Sequence, residues 1–297
     1  MGTLELSAPA PPRGLWHDAG LRLMRNKAAM AGLTVVILLI LIAIAAPLIA
    51  PQGPRDGNLA LIAEGCCPGP SWAHPFGIDD QGRDVFSRVL YGARYTLATG
   101  TVSVAVGLGI GLVIGALAGF AGGFVDGLLM RIMDVMLAIP GLLLAIGIVA
   151  VLGRGLVPVM IAVGVVNIPI FARLMRGQVL VQREADFVLA ARSVGVRPRA
   201  VLWSHVLPNA VSPVIVAATL ALATAIIDVA GLGFLGLGPE DPSIPEWGTM
   251  LTDANKYLQT APHVALIPGA AIVISVLAFN LIGDGLREAL DPKLRGH

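Results

Sequence analysis

Between Arg183 and Ala210 the chain reads READFVLAARSVGVRPRAVLWSHVLPNA, and its residue types suit docking rather than bond-making. Glu184 and Asp186 stand where the positive end of a helix dipole favours anions, Arg192 falls in the last turn, and Gly195 follows as a left-handed cap. Phe187, Ala190, Ala191 and Val194 recur at three- and four-residue steps, which puts them on one compact face of a short helix. That face needs a partner. Either it seats in a groove of another protein, which small alanines allow, or it rests on a membrane surface, where alanines would bury little.

Groups for bond-making are scarce. No G-x-x-x-x-G-K-[ST] stretch holds nucleotide phosphates, and no H-E-x-x-H or C-x-x-C offers metal ligands. His17, His74, His205, His263 and His297 have no ligand spacing, so no metal and no cofactor is expected in this chain. Cys66 and Cys67 are adjacent, could close only a strained ring, and are expected to do no chemistry. Charges inside apolar runs are functional candidates. Arg131 and Asp134, three apart, are expected to pair with each other or reach the interface. Asp228 could face a translocation path and meet an amine there, or hydrogen-bond a neighbouring span.

The elements that must position these groups are membrane spans. Of the 297 residues 56% are hydrophobic and 13% charged, about half the charged share of a soluble domain. The net charge of +1 gives no basic excess for nucleic acid. A spanning helix needs about 20 apolar residues, and the sequence offers six such runs, at about 28–50, 95–119, 128–151, 156–174, 211–229 and 262–281. Pro140 predicts a kink in the third, and Pro158 and Pro169 predict a short or broken fourth. The expected class is all-α and polytopic. The first run is too long for a signal peptide and lacks a cleavage pattern, so it should remain as a span.

Cytoplasmic loops carry the excess of Lys and Arg. Arg13, Arg22, Arg25 and Lys27, then Arg131, the series from Arg173 to Arg199, and finally Arg287, Lys293 and Arg295 lie on one side. That side is expected to be the cytoplasm, with both termini in it. Residues 1–27 then form a cytoplasmic segment, 51–94 an extracytoplasmic loop and 176–209 a cytoplasmic segment. Val85, Phe86 and Val89 predict a short amphipathic helix at the outer interface. Gly107, Gly111, Gly115 and Gly119 repeat every four residues in the second span, the arrangement that lets helix backbones approach in lipid.

At this point the sequence resembles a known family. Leu189-Ala190-Ala191-Arg192-Ser193-Val194-Gly195, followed by His205-Val206-Leu207-Pro208, is similar to the EAA motif of ABC importer permeases, with Leu189 in place of Glu and His205 in place of a frequent Ile. Arg25-Asn26-Lys27, His74-Pro75-Phe76-Gly77, Gly82 to Arg88, Pro245 to Leu251, and Phe279 to Arg287 with Leu290-Asp291-Pro292-Lys293 resemble the C-type permease of dipeptide, oligopeptide and glutathione importers. The resemblance implies a type I ABC importer permease fold in a bacterial cytoplasmic membrane. It implies as partners a second, related permease, two cytosolic ATPases carrying ATP and magnesium, and an extracytoplasmic substrate-binding protein. It further implies that Asp186 to Gly195 is the coupling helix that rests on an ATPase. Peptides are the expected cargo, with nickel, glutathione or another small solute as the alternative. An ion-coupled secondary transporter would show repeated halves with broken helices, and an enzyme a converging set of acids, bases or ligands; neither pattern is visible.

Overall fold

The computed structural model describes residues 15–63, 65–241 and 243–290, and every regular element among them is helical. Arg13, Lys293, Arg295, His297 and the Asp291-Pro292-Lys293 end of the last motif lie outside the described residues. Helix α1 spans Leu15–Arg25 and α2 spans Lys27–Ile49, separated by Asn26. Asn26 makes that corner: its Oδ1 accepts the Ala29 N–H at 3.0 Å, capping α2, and its Nδ2 donates to Glu288 at 2.7 Å. Helix α1 lies within the N-terminal segment, for which no element was predicted.

Helix α3, Val85–Ala121, has 37 residues and is about 55 Å long at the usual rise. It starts where Asp84 Oδ2 accepts both the backbone N–H and the hydroxyl of Ser87, each at 2.7 Å. The amphipathic helix expected around Val85 and Val89 is instead the opening turns of α3. Those residues do not lie on a lipid surface, because Val85 is fully buried in a cluster with Trp247 and Val264.

The third expected span is two helices, α4 (Gly123–Ala138) and α5 (Gly141–Leu152), bent by 93°. Ile139 is held extended by the proline after it, and Pro140 has no N–H to continue the ladder. The fourth is the opposite case. Helix α6 runs unbroken from Leu156 to Arg183 through Pro169, which is itself buried. Pro158 falls in its first turn, where an N–H has no intrahelical partner anyway.

After α6 come α7 (Asp186–Ser193), the single turn α8 (Pro198–Val201) and a wide π turn, Leu202–Val206, that leads into α9 (Leu207–Leu232). A second π turn, Gly233–Leu237, precedes α10 (Trp247–Ala254), and α11 (His263–Leu290) closes the bundle. Among the described residues five helices are long and apolar enough to cross a membrane, or six if the bent α4–α5 pair counts as one span. Exposed Ile37, Leu41, Ile44 and Leu48 on α2 form the kind of surface that lipid covers. Cys66 and Cys67 are bonded to each other, and Cys67 packs under the cluster around Val85.

Candidate functional site

Helix α7 stands at the end of the bundle where α6 finishes and α9 begins. Its C-terminus closes as a Schellman motif: the Val196 N–H donates to the Ala191 carbonyl at 3.1 Å and the Gly195 N–H to the Arg192 carbonyl at 3.0 Å, with Gly195 at φ +80°. The N-cap is Ala185, which lacks a side-chain acceptor, so Asp186 acts from the first turn as a charge near the dipole. Glu184 ion-pairs with Arg183 at 3.4 Å.

Val188 anchors α7 to the protein, with Ala191 packed beside it on the same cluster. Val188 is fully buried among Met175 and Val179 of α6, Val201 of α8, and Val206, Ala210 and Val214 beyond it. The face expected to need a partner points elsewhere: Phe187 is 43% and Val194 80% exposed, Ala190 and Arg192 are exposed, and Ala191 is half-buried. Trp203 adds a further exposed apolar side chain on the π turn that follows. Val188 and Trp203 were missed by the sequence reading, since the three-and-four spacing that picks out Phe187 and Val194 passes over both.

Helix α6 is joined along its length to α3. A Cβ on Gly107 would stand 2.6 Å from the Gly164 carbonyl oxygen, on Gly111 2.8 Å from that of Ile168, on Gly115 2.3 Å from that of Ala172, and on Gly119 3.0 Å from that of Arg176. The first three are closer than a side chain tolerates, and at Gly119 the Val179 Cβ, 2.9 Å away, is the closer obstacle. At the α7 end, Arg183 donates to the Gly119 carbonyl at 3.2 Å. Arg176 grips Asp126 of α4 with two bonds, Nη2 to Oδ2 at 2.6 Å being one, and Arg173 pairs with Asp134. The partner of Asp134 is therefore Arg173 on the neighbouring helix rather than Arg131, which is exposed.

At the opposite end of α3 the remaining motifs converge. The Trp247 indole N–H donates to the Val89 carbonyl at 3.1 Å, and its backbone N–H reaches Thr96 Oγ1 at 3.3 Å. Glu246 caps α10, accepting from the N–H groups of Gly248 at 2.9 Å and Thr249 at 2.8 Å. Burial pushes the Glu246 carboxyl up, and those bonds with the Thr249 and Thr96 hydroxyls hold it back down. Asp79 receives Arg83 at 2.6 Å and faces Arg88 at 3.5 Å, while His74 Nδ1 lies 3.1 Å from Asp84. This buried network fastens loop 51–84 to α3.

Asp228 is half-buried on α9 and makes no hydrogen bond or ion pair among the described residues. Thr224, one turn before it, bonds its own helix at the Ala221 carbonyl, 3.0 Å away. No group of three His, Cys, Asp or Glu among the described residues could hold a metal ion.

A helical bundle with a rigidly seated surface helix at one end is the build of a membrane permease. The chain belongs to the family of binding-protein-dependent transport system inner membrane components, whose model matches residues 111–296. Residues 14–63 match the N-terminal transmembrane domain of oligopeptide transport permease C. The chain is 49% identical over 296 residues to the glutathione transport system permease protein GsiD of Shigella flexneri serotype 5b, covering all of this chain and 96% of that one. It is 46% identical over 280 residues to the dipeptide transport system permease protein DppC of Alkalihalophilus pseudofirmus, covering 94% and 90%. In three dimensions it resembles the inward-facing MetNI methionine ABC transporter, with a TM-score of 0.58 and 22% identity over 69% of this chain and 96% of that one. It is thus a multi-pass inner-membrane protein and a non-catalytic C-type permease subunit of a peptide/nickel-family ABC importer. Its setting is two permeases, two ATPases and one substrate-binding protein, with ATP and magnesium used on the ATPases.

Proposed function

We propose that this permease moves small peptides into the cell by alternating access, and that α7 is where an ATPase drives it. The carrying observation is the division of α7 into an anchored side and a bare side: Val188 is sunk in the bundle while Phe187, Ala190 and Val194 stand free. An ATPase can shift the permease between states only through contacts that differ between them. A helix seated through Val188 passes such a shift to α6 and to the start of α9, and the glycine contact passes it from α6 to α3. Gly195 closes α7 tightly enough for it to move as one body.

In this reading the α7 end faces the cytoplasm and loop 51–84 with α10 faces outside, as the Lys and Arg distribution suggests. Glutathione, itself a small peptide, is the favoured cargo, because the GsiD relative aligns over the whole chain at 49% identity. Asp228 on α9, without a partner among the described residues, is the group assigned to meet the amine of the cargo within the pathway. The four glycines serve as the contact that keeps α3 and α6 together during the movement.

The test of the coupling is Ala190→Glu in the reconstituted importer. The variant should assemble with its partner permease but lose ATPase binding or substrate-stimulated hydrolysis, and uptake with it. Wild-type uptake and stimulation would sink the assignment. The test of the cargo is competition in the same vesicles: glutathione should displace labelled glutathione better than an unrelated dipeptide, and Asp228→Asn should weaken uptake of it.

A further inference from the structure

Helix α1 is joined to the end of a membrane span by the single residue Asn26, so its Arg25 end stands beside the membrane boundary. One side of it packs on the protein: Ala19 is buried, and Leu23 Cδ1 would stand 3.2 Å from a Cβ on Gly285 of α11. The other side is bare. Leu21 is 40% and Met24 68% exposed, one turn apart and pointing away from the bundle. Beside this strip stand Arg22 and Arg25, with Lys27 at the corner.

Arg22 and Arg25 line a cleft of about 360 Å³ with Asn26, Gly285, Glu288 and Ala289. Glu288 shares the cleft and its carboxylate accepts from Asn26 Nδ2 at 2.7 Å, so this single anion stands against the three cations Arg22, Arg25 and Lys27 at the corner. The apolar strip and the cations are arranged as on a helix that lies in the interface, with its hydrophobic side in the acyl boundary and its basic groups at phosphate level. Long Arg side chains reach headgroups while their stems cover apolar surface.

We propose that α1 and the corner at Asn26 form a binding site for an anionic phospholipid of the cytoplasmic leaflet. The lipid phosphate sits in the cleft between Arg22 and Arg25, and its acyl chains lie along Leu21, Met24 and the exposed side of α2. The site rests on the orientation given above, with the N-terminal end of α2 inside. The lipid holds α1 against the last turns of α11 and so fixes the first span to the bundle. The cytoplasmic leaflet supplies the matching charge, and basic groups near its surface each contribute noticeably to attraction.

The experiment uses the assembled importer in nanodiscs of phosphatidylcholine with or without phosphatidylglycerol. Wild type should retain phosphatidylglycerol in native mass spectrometry, and its melting temperature should rise with the anionic lipid. R22Q/R25Q should retain less, by roughly fivefold for each arginine removed, whereas R22K/R25K should keep most of it. Equal retention by R22Q/R25Q overturns the proposal. So does an equal rise in melting temperature when inorganic phosphate is added to phosphatidylcholine discs, which would mark a free-phosphate site. Cross-linking of Met24→Cys to an ATPase in high yield would also overturn it, since the bare side would then be covered by protein. Lipid retention by Ala190→Glu separates this site from the coupling at α7, because that variant should lose uptake yet retain phosphatidylglycerol like wild type.

Discussion

A methyl group placed on Gly115 would stand 2.3 Å from the carbonyl oxygen of Ala172, so at this level α3 and α6 meet backbone to backbone. Without a hydrophobic drive between helices in lipid, such contact is what van der Waals packing needs to hold two spans together.

Gly115→Leu should therefore push α6 off α3. The expected cost is about 1–3 kcal/mol, as for other overpacked contacts. Thermal unfolding of the purified complex measures it, and Gly109→Leu on the open side of α3, where nothing lies within 4 Å, is the control. If the two variants melt alike, the stripe does not hold the spans.

Gly195 takes φ +80° at the end of α7. Gly195→Val should cost about 1–2 kcal/mol locally, because a β-branched residue resists left-handed geometry, and Gly195→Asn should cost less. Limited proteolysis between α7 and α8 should follow the order Val, Asn, Gly, fastest first. Cleavage of all three at one rate would count against a rigid α7.

Asp79 is the buried anion that faces both Arg83 at 2.6 Å and Arg88 at 3.5 Å. Its removal takes away the carboxylate 2.6 Å from Arg83, which also faces Asp253 at 3.8 Å, and breaking a buried pair of this kind costs about 3–5 kcal/mol. Asp79→Ala should release loop 51–84 from α3, read as faster hydrogen exchange in that loop while α6 and α7 are unchanged. Unaltered exchange in the loop would show that other contacts suffice.

The same end of the molecule should respond to pH in a defined sense. Burial pushes Asp80 and Asp253 up, with neighbouring carboxylates adding to the effect, and burial pushes up Glu246 as well. A carboxyl raised above its unfolded value of about 4 stabilises the fold below that value and loses the contribution as pH rises through the folded one. Asp241, held low by Ser243, acts in the opposite sense but only in more acidic solution. Melting temperature should thus fall as pH is raised from about 4 through the range where these raised carboxyls ionise, and Asp80→Asn should flatten the slope. Asp80 is the telling site because its buried Oδ1 has no hydrogen-bond partner among the described residues. A melting temperature that climbs over this range would refute the assignment.

The sequence by itself determined what depends on neighbours in the chain. Apolar runs define spans because every backbone group in lipid must bond within its own helix, and Gly195 after Arg192 marks a helix end because few other residues accept that backbone. Proline was a poorer guide. Pro140 breaks a helix and the buried Pro169 does not, since packing of α6 along the glycine face of α3 outweighs one lost hydrogen bond. Only the tertiary structure decided which residues meet across the chain. Asp134 pairs with Arg173 rather than with Arg131 beside it, and Val188, outside the Phe187 face, is the buried anchor of α7. Trp247 closes on Val89, 158 positions away. Partner choice of this kind depends on how helices cross, which periodicity along one helix does not carry.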